Sequence, residues 1–179
     1  PTCLRLAQLD RQEGRFDEAR KGLERARALM PESLEVAFQQ VVLEDLLGNQ
    51  EQAISILEGL IGQSERPAGQ YTAGEANNRA IFLERLGVVY RSQQKYDKAL
   101  EAFQQVLALG KEQVPRGEGL IIETLRQARQ AKKALEAAEA ATTKYPEDRS
   151  LHILRATLLG EQGRVDDALR ELRALLKDQ

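Results

Sequence analysis

The sequence predicts an all-α fold, an α-α superhelix of about ten antiparallel helices, and three observations carry that prediction. A turn followed by a helix start ending in alanine recurs at Gly14–Ala19, Gly48–Ala53, Gln94–Ala99, Arg129–Ala134 and Gly163–Ala168. The five alanines are separated by 34, 46, 35 and 34 residues. Between them apolar residues return at intervals of three and four, the period of a helix face, and no segment alternates with the period of two that a half-buried strand shows. A fixed period of this length marks a stack of hairpins, none of which can bury its apolar stripe alone.

The units follow in order as one domain over 1–179, with repeats at about 1–33, 34–67, 80–113, 115–147 and 149–179. The first places Leu4, Leu6 and Leu9 on one helix and Phe16, Ala19, Leu23 and Ala26 on the next. Pro31 ends that second helix, because its ring cannot continue it and constrains the preceding residue. The second unit starts near Ser33, a candidate cap, with Val36, Val41, Val42, Leu46 and Leu47 before Ala53, Leu57, Leu60 and Ile61. The third, Leu83 to Val106, is the best formed, with Leu83, Leu86, Gly87 and Tyr90 facing Ala99, Phe103 and Val106. The fourth opens at Val114–Gly117 and has an alanine-rich second helix that ends at Tyr145–Pro146. The fifth carries Leu151, Ile153, Leu154, Leu158 and Leu159, then Val165, Ala168, Leu169, Leu172, Leu175 and Leu176. The 46-residue spacing locates an insert at about 62–78, whose three glycines and proline read as a loop, at least in part.

Composition narrows the function. Charged residues make up 30% of the chain and nearly cancel to a net charge of −2, which argues against general nucleic-acid binding and against a polybasic membrane surface. No run approaches the roughly 18 consecutive apolar residues of a membrane span, so no membrane insertion is expected. A single cysteine, Cys3, excludes an internal disulfide and any cysteine-based zinc site. No signal peptide is visible, and a chain that begins at Pro1 rather than Met reads as a fragment; the default expectation is a soluble cytoplasmic protein. The 18 arginines against 8 lysines suggest a GC-rich, bacterial genome.

The repeated pattern resembles the tetratricopeptide repeat, a helix-turn-helix unit of 34 residues. The third unit matches it through Leu83, Leu86-Gly87, Tyr90, Ala99 and Phe103, and the first through Leu6-Ala7, Ala19, Leu23, Ala26 and Pro31. The fifth matches through Ala156, Leu159, Ala168, Leu172 and Leu175, with His152 in the bulky slot. The fourth matches only through Leu125, Ala134, Ala138, Ala141 and Pro146, and the second lacks the closing proline. The resemblance covers nearly the whole chain and implies a right-handed array that binds proteins, with the first helix of each pair lining a concave groove.

On those helices Glu84, Val88 and Arg91 form a stripe separate from the core positions. The matching stripes are Leu4, Gln8 and Arg11; Phe38, Val42 and Asp45; Gly119, Glu123 and Arg126; and Ile153, Thr157 and Gly160. The candidate partner-binding residues are therefore Arg11, Phe38, Val42, Asp45, Glu84, Val88, Arg91, Glu123 and Arg126. Arg11, Arg91 and Arg126 lie eight residues before the aligning alanine of their repeats, where guanidinium groups could hold carboxylates or phosphates in pairs of hydrogen bonds. Phe38 and Val42 could seat an apolar side chain. The alternative is that these side chains are solvated and paired with Glu84, Glu123 or Asp45. The Lys and Asn set with which chaperone-binding members hold a C-terminal carboxylate is replaced here by Leu4, Gln8, Gln39 and Ile81, with only Arg85 basic, so heat-shock chaperone tails are not expected to bind.

Very little in the sequence suggests catalysis, a cofactor or a metal, although Asp166-Asp167 and Glu136 with Glu139 are conceivable carboxylate pairs. His152 stands alone, and Asp166-Asp167, like Asp17-Glu18, begins a helix, where acidic side chains favour the positive end of the dipole. The expected function is a non-catalytic scaffold for a protein or peptide partner. Two alternatives remain: a regulatory domain of a larger protein, and a self-associating module. For the latter, a homodimer would form through the C-terminal helix edge, where Leu169, Leu172 and Leu176 lack a covering helix.

Overall fold

The computed structural model describes residues 2–67, 69–110 and 114–177. Ala68 in the insert, 111–113 at the end of the third repeat, Pro1, and 178–179 in the fifth lie outside the described residues. The described residues form ten α-helices and no strand: α1 (Thr2–Gln12), α2 (Phe16–Leu29), α3 (Leu34–Leu46), α4 (Gln50–Gln63), α5 (Ala73–Ser92), α6 (Tyr96–Leu107), α7 (Val114–Gln127), α8 (Ala131–Lys144), α9 (Arg149–Glu161) and α10 (Val165–Lys177). Each helix packs on the next along the chain. The result is the all-α helical repeat superhelix that the sequence predicts.

All five hairpins turn in the same way. Five residues before each aligning alanine the backbone is left-handed, at Gly14, Gly48, Gln94, Arg129 and Gly163, with φ of 77°, 79°, 59°, 58° and 79°. The following residue donates its N–H back to the odd helix, as in Arg15 to the Asp10 carbonyl (2.8 Å) and Lys95 to the Tyr90 carbonyl (2.9 Å), which closes a Schellman motif. Glycine adopts this backbone freely, whereas a Cβ strains it by about 1–2 kcal/mol, so the third and fourth turns form against a local cost. Packing supplies what those turns lack.

Within each hairpin the helices meet at small residues. Ala19, Ala53, Ala99 and Ala134 are fully enclosed. A Cβ on Gly22 would lie 2.8 Å from that of Ala7, and one on Gly87 would lie 2.9 Å from Phe103 Cδ1 and closer still to the ring edge. Phe103 itself has no exposed surface, so it has nowhere to retreat.

The insert at 62–78 is helix at both ends, with α4 reaching Gln63 and α5 beginning at Ala73. Thr72 caps α5 by accepting from the Glu75 N–H (3.3 Å), and the Glu75 carboxylate accepts in return from the Thr72 N–H (3.0 Å). Buried Arg79 donates to the Ile61 carbonyl and to Ser64 Oγ (3.3 Å), tying the end of α4 to the extra turns of α5. Two helix starts elsewhere are capped by Ser33, as the sequence suggests, and by Asp148.

Three expectations need correction. Leu6 and Leu9 do not pack inside the first hairpin but are exposed, on a face of α1 that no helix covers among the described residues. Leu46, counted among the apolar residues of the second unit, is exposed at the end of α3. Leu4, placed on the inner stripe, is buried with Ala7, Ala19 and Leu23 in the core of the first hairpin.

The crossing geometry leads to a paired prediction. Gly87→Ala should destabilise the chain by about 1–3 kcal/mol, because overpacking against Phe103 outweighs the gain in helix propensity. Gly59→Ala, where a Cβ meets nothing within 4 Å, should stabilise by up to about 1 kcal/mol. Urea denaturation of both variants measures the contrast, and a stable Gly87→Ala would remove the crossing contact as a constraint.

Candidate functional site

The odd-numbered helices form one layer. α1 touches α3 and α7 touches α9, and ion pairs extend the layer from helix to helix. Asp45 on α3 meets Arg85 on α5 at 2.9 Å, Glu84 on α5 meets Arg116 on α7, and Arg126 on α7 meets Glu161 on α9 at 2.5 Å. Arg126 also holds Glu123 on its own helix at 3.1 Å.

Asp45, Glu84, Glu123 and Arg126, four of the nine residues expected from the sequence, take part in this ladder. Phe38 lies 5.7 Å from Phe82, ring centre to ring centre, with the planes tilted by 43°. Phe38 and Val88 are both half-buried against the apolar core that spans α3 to α6, and Val42 is half-buried one turn after Phe38. Helical spacing puts Val42 on one face with Gln39 and Asp45, and Val88 on one face with Arg85 and Arg91. Glu84 lies deeper than a groove-facing side chain, since it is buried, and only one of its oxygens is paired.

The three equivalent arginines differ in their surroundings. Arg126 is committed to Glu161 and Glu123, and hydrogen bonds from its guanidinium, Glu161 first, push its own pKa up and that of Glu161 down. Arg91 makes no ion pair among the described residues; its guanidinium carbon lies 5.8 Å over the Phe103 ring, and Nη1 is buried without a hydrogen-bond partner. Arg11 is half-buried at the end of α1. All three occupy the last turn of their helices, where a cation suits the negative end of the dipole. Their recurrence therefore has a helix-terminal cause as well as any cause in binding.

Sequence reasoning missed Arg116 and Glu161, which complete the ladder, and Phe82, which faces Phe38. Arg116 stands beside Pro115 at a helix start, and no repeat position marked it. Gln39 and Arg85, both fourteen residues before their aligning alanines, enter the sequence reading only at the places of the absent carboxylate clamp. In the structure each has a buried side-chain atom, Gln39 Oε1 and Arg85 Nε, with no protein partner.

His152, expected as a packing residue, is half-buried with Nδ1 2.7 Å from Glu171 and Nε2 2.9 Å from the Pro146 carbonyl, which ties α9 to α10 and to the α8–α9 connection. Among the described residues no group of three or more His, Cys, Asp or Glu could hold a metal ion, and no helix is long and apolar enough to cross a membrane.

Ten stacked helices with a continuous inner layer define a helical-repeat scaffold. Family models described as tetratricopeptide repeat match residues 80–111, and residues 4–69 together with 121–179, so the chain belongs to the tetratricopeptide repeat family. That family is one of protein–protein interaction scaffolds. Comparison with curated proteins gives no match.

Solved structures share the fold. The apo form of RapI superposes with a TM-score of 0.74 at 13% identity, covering 97% of this chain and 67% of that one. MamA from Desulfovibrio magneticus RS-1, residue 41 to its end, gives 0.66 at 17% identity, covering 98% and 92%. A tetratricopeptide repeat protein from Parabacteroides merdae gives 0.67 at 17% identity, covering 98% and 63%.

Glu84 provides a test of the electrostatics of the inner face. Burial pushes its carboxyl pKa above the ordinary 4.5, and the Arg116 charge only partly opposes the shift. An acid whose folded pKa is raised binds its proton more tightly in the folded state, so its contribution to stability falls as pH rises from 4.5 through the folded value. Glu84→Gln should therefore gain stability relative to the parent between pH 4 and pH 7. Denaturant titrations at the two pH values measure this, and a relative loss at pH 7 would mean that the ion pair with Arg116 outweighs the burial cost.

Proposed function

We propose that the chain is a non-catalytic scaffold that holds a peptide or partner segment of acidic and apolar character along the inner face of its odd-numbered helices. One observation carries the reading. Gln39 Oε1, Glu84 Oε1, Arg85 Nε and Arg91 Nη1, all on α3 and α5, are buried without protein partners beside the half-buried Phe38, Val42 and Val88.

Buried polar atoms are nearly always hydrogen-bonded, and leaving one unpaired costs about 1–3 kcal/mol. A segment laid along this face supplies both kinds of partner. Its backbone N–H groups suit Gln39 and Glu84, and its carbonyls and carboxylates suit Arg85 and Arg91. Phe38, Val42 and Val88 offer apolar contact between those points, which fits a face built mostly of apolar surface with a few placed polar groups. Arg126, already held by two carboxylates, contributes to the spacing of α7 and α9 rather than to capture. Arg11 extends the basic edge toward α1.

Selection of phage-displayed peptides on the immobilised chain tests this. The recovered sequences should combine Asp or Glu with an apolar residue, and a labelled peptide from the set should lose about tenfold or more in affinity to Arg91→Glu, the cost of one charge-assisted hydrogen bond. Val88→Asp should weaken the same peptide, and circular dichroism should show both variants as helical as the parent. Peptides without acidic residues, or affinity that survives Arg91→Glu, would overturn the reading.

A further inference from the structure

One position of the odd-helix layer is left unfilled. In the first three repeats the residue fifteen before the aligning alanine meets the next odd helix. Leu4 of α1 shares a buried cluster with Val36 of α3, the Phe38 ring of α3 lies 5.7 Å from that of Phe82 on α5, and Glu84 of α5 is paired with Arg116 of α7. In α7 the same position is Gly119. A Cβ there would lie 3.9 Å from Cδ2 of Leu151 on α9, the residue that corresponds to Val36 and Phe82. Packing does not demand this glycine. A Cβ on Gly87 or Gly117 would overlap Phe103 or Leu107, whereas one on Gly119 makes only ordinary contact. Glycine also weakens a helix interior relative to alanine, so α7 carries a local cost here that has no packing reason among the described residues.

The space beside Gly119 is a cleft of about 520 Å³, within the size range of binding pockets. Pro115, Gly119 and Leu120 of α7 and Leu151 and Leu154 of α9 supply its apolar lining. Its two charged lining residues differ in what they can still do. Asp148 is occupied as the cap of α9, accepting from the Leu151 N–H at 3.1 Å. Arg116 has Nη2 on Glu84, but its side chain is 64% exposed, and a guanidinium carries five N–H donors, so it can take a second carboxylate. The lining belongs to α7, α9 and the cap of α9, which places the cleft in the odd layer, one helix past the unpaired groups of α5.

We infer that this cleft seats one bulky apolar side chain of the partner segment, Phe, Tyr, Trp or Leu, with an Asp or Glu next to it in the segment held by Arg116. The inference rests on the inner face being the binding surface and adds which partner side chain goes where. The partner supplies from outside what Phe38 supplies within the second repeat, a large apolar group set against the next odd helix. Burial of that group drives the contact, and the charge of Arg116 selects the acidic neighbour. The polar groups of α3 and α5 and the apolar cleft between α7 and α9 then serve one segment that runs along the odd layer.

A labelled peptide selected by phage display on the parent chain tests the inference, with changes made on both sides of the contact. Gly119→Phe fills the cleft from within and should lower the affinity about tenfold or more while the chain stays helical by circular dichroism. Gly119→Ala is too small to fill it and should bind within about twofold of the parent. Replacing the peptide's bulky apolar residue by Ala should weaken binding to the parent by a similar factor and cause no further loss on Gly119→Phe, because both changes remove one contact. Gly119→Leu takes the place of Gly119→Phe in this cycle should the latter lose helicity. Losses that add in the cycle, or a filled cleft that binds as tightly as the parent, would overturn the inference. Affinity lost to Arg91→Glu but kept by Gly119→Phe overturns the cleft alone and leaves the inner face as the binding surface. Affinity lost to Gly119→Phe but kept by Arg91→Glu supports the cleft and removes the polar groups of α5 from recognition. Recovery of no peptide overturns both.

Discussion

The structure depends on how closely the two helices of each hairpin approach. Ala19, Ala53, Ala99 and Ala134 begin the even helices without exposed surface, and Gly87 leaves room for no more than the Phe103 ring that fills the space beside it. Interiors packed at this density respond to a single methyl group, so the crossing distance is fixed rather than adjustable. Once it is fixed, the left-handed turns follow, including those where Gln94 and Arg129 must adopt a backbone that glycine adopts without strain. The odd helices then fall into one layer, and their outward side chains come within reach of the next odd helix.

That layer is held by charge as well as by apolar contact. Arg85, Arg116 and Arg126 each reach a carboxylate on a neighbouring odd helix, which gives the inner face a nearly neutral set of paired groups. A solvent-accessible pair such as Arg126–Glu161 adds at most about 1 kcal/mol to stability, and at buried Glu84 the Arg116 charge only partly opposes the cost of burial. The larger effect of these pairs is on geometry, because they consume most of the basic groups that a ligand could use. What is left over is local: two acceptors and two donors on α3 and α5, beside Phe38, Val42 and Val88. Recognition, on this account, concentrates in the middle of the array.

The fold was legible because packing repeats. The 34-residue spacing of alanines, the glycine turns and the Leu–Tyr pattern of the third unit each record a contact that the chain makes several times. The same periodicity misled in α1, where Leu6 and Leu9 carry the pattern of packed residues but are exposed, with no helix on that face among the described residues. Contacts that occur once left no trace in the repeat. Arg79 closes the end of α4 through a buried side chain that nothing in the spacing marks, just past an insert that reads from sequence as a loop, at least in part. The inner face was half legible: residues on the stripe are correctly grouped by helix, but which arginine is already paired depends on Glu161, a full repeat away from Arg126. Sequence periodicity identifies neighbours along a helix and cannot state a pair between two of them.

The central claim is that stability and surface both come from nearest-neighbour stacking of hairpins, as in a quasi-one-dimensional array. Native-state amide hydrogen exchange measures it most directly. At low protein concentration, protection should peak in α5 and α6, which are enclosed on both sides, and fall stepwise toward α1 and α10, each of which lacks one neighbour. Uniform protection from α1 to α10, lost in a single global opening, would contradict the account.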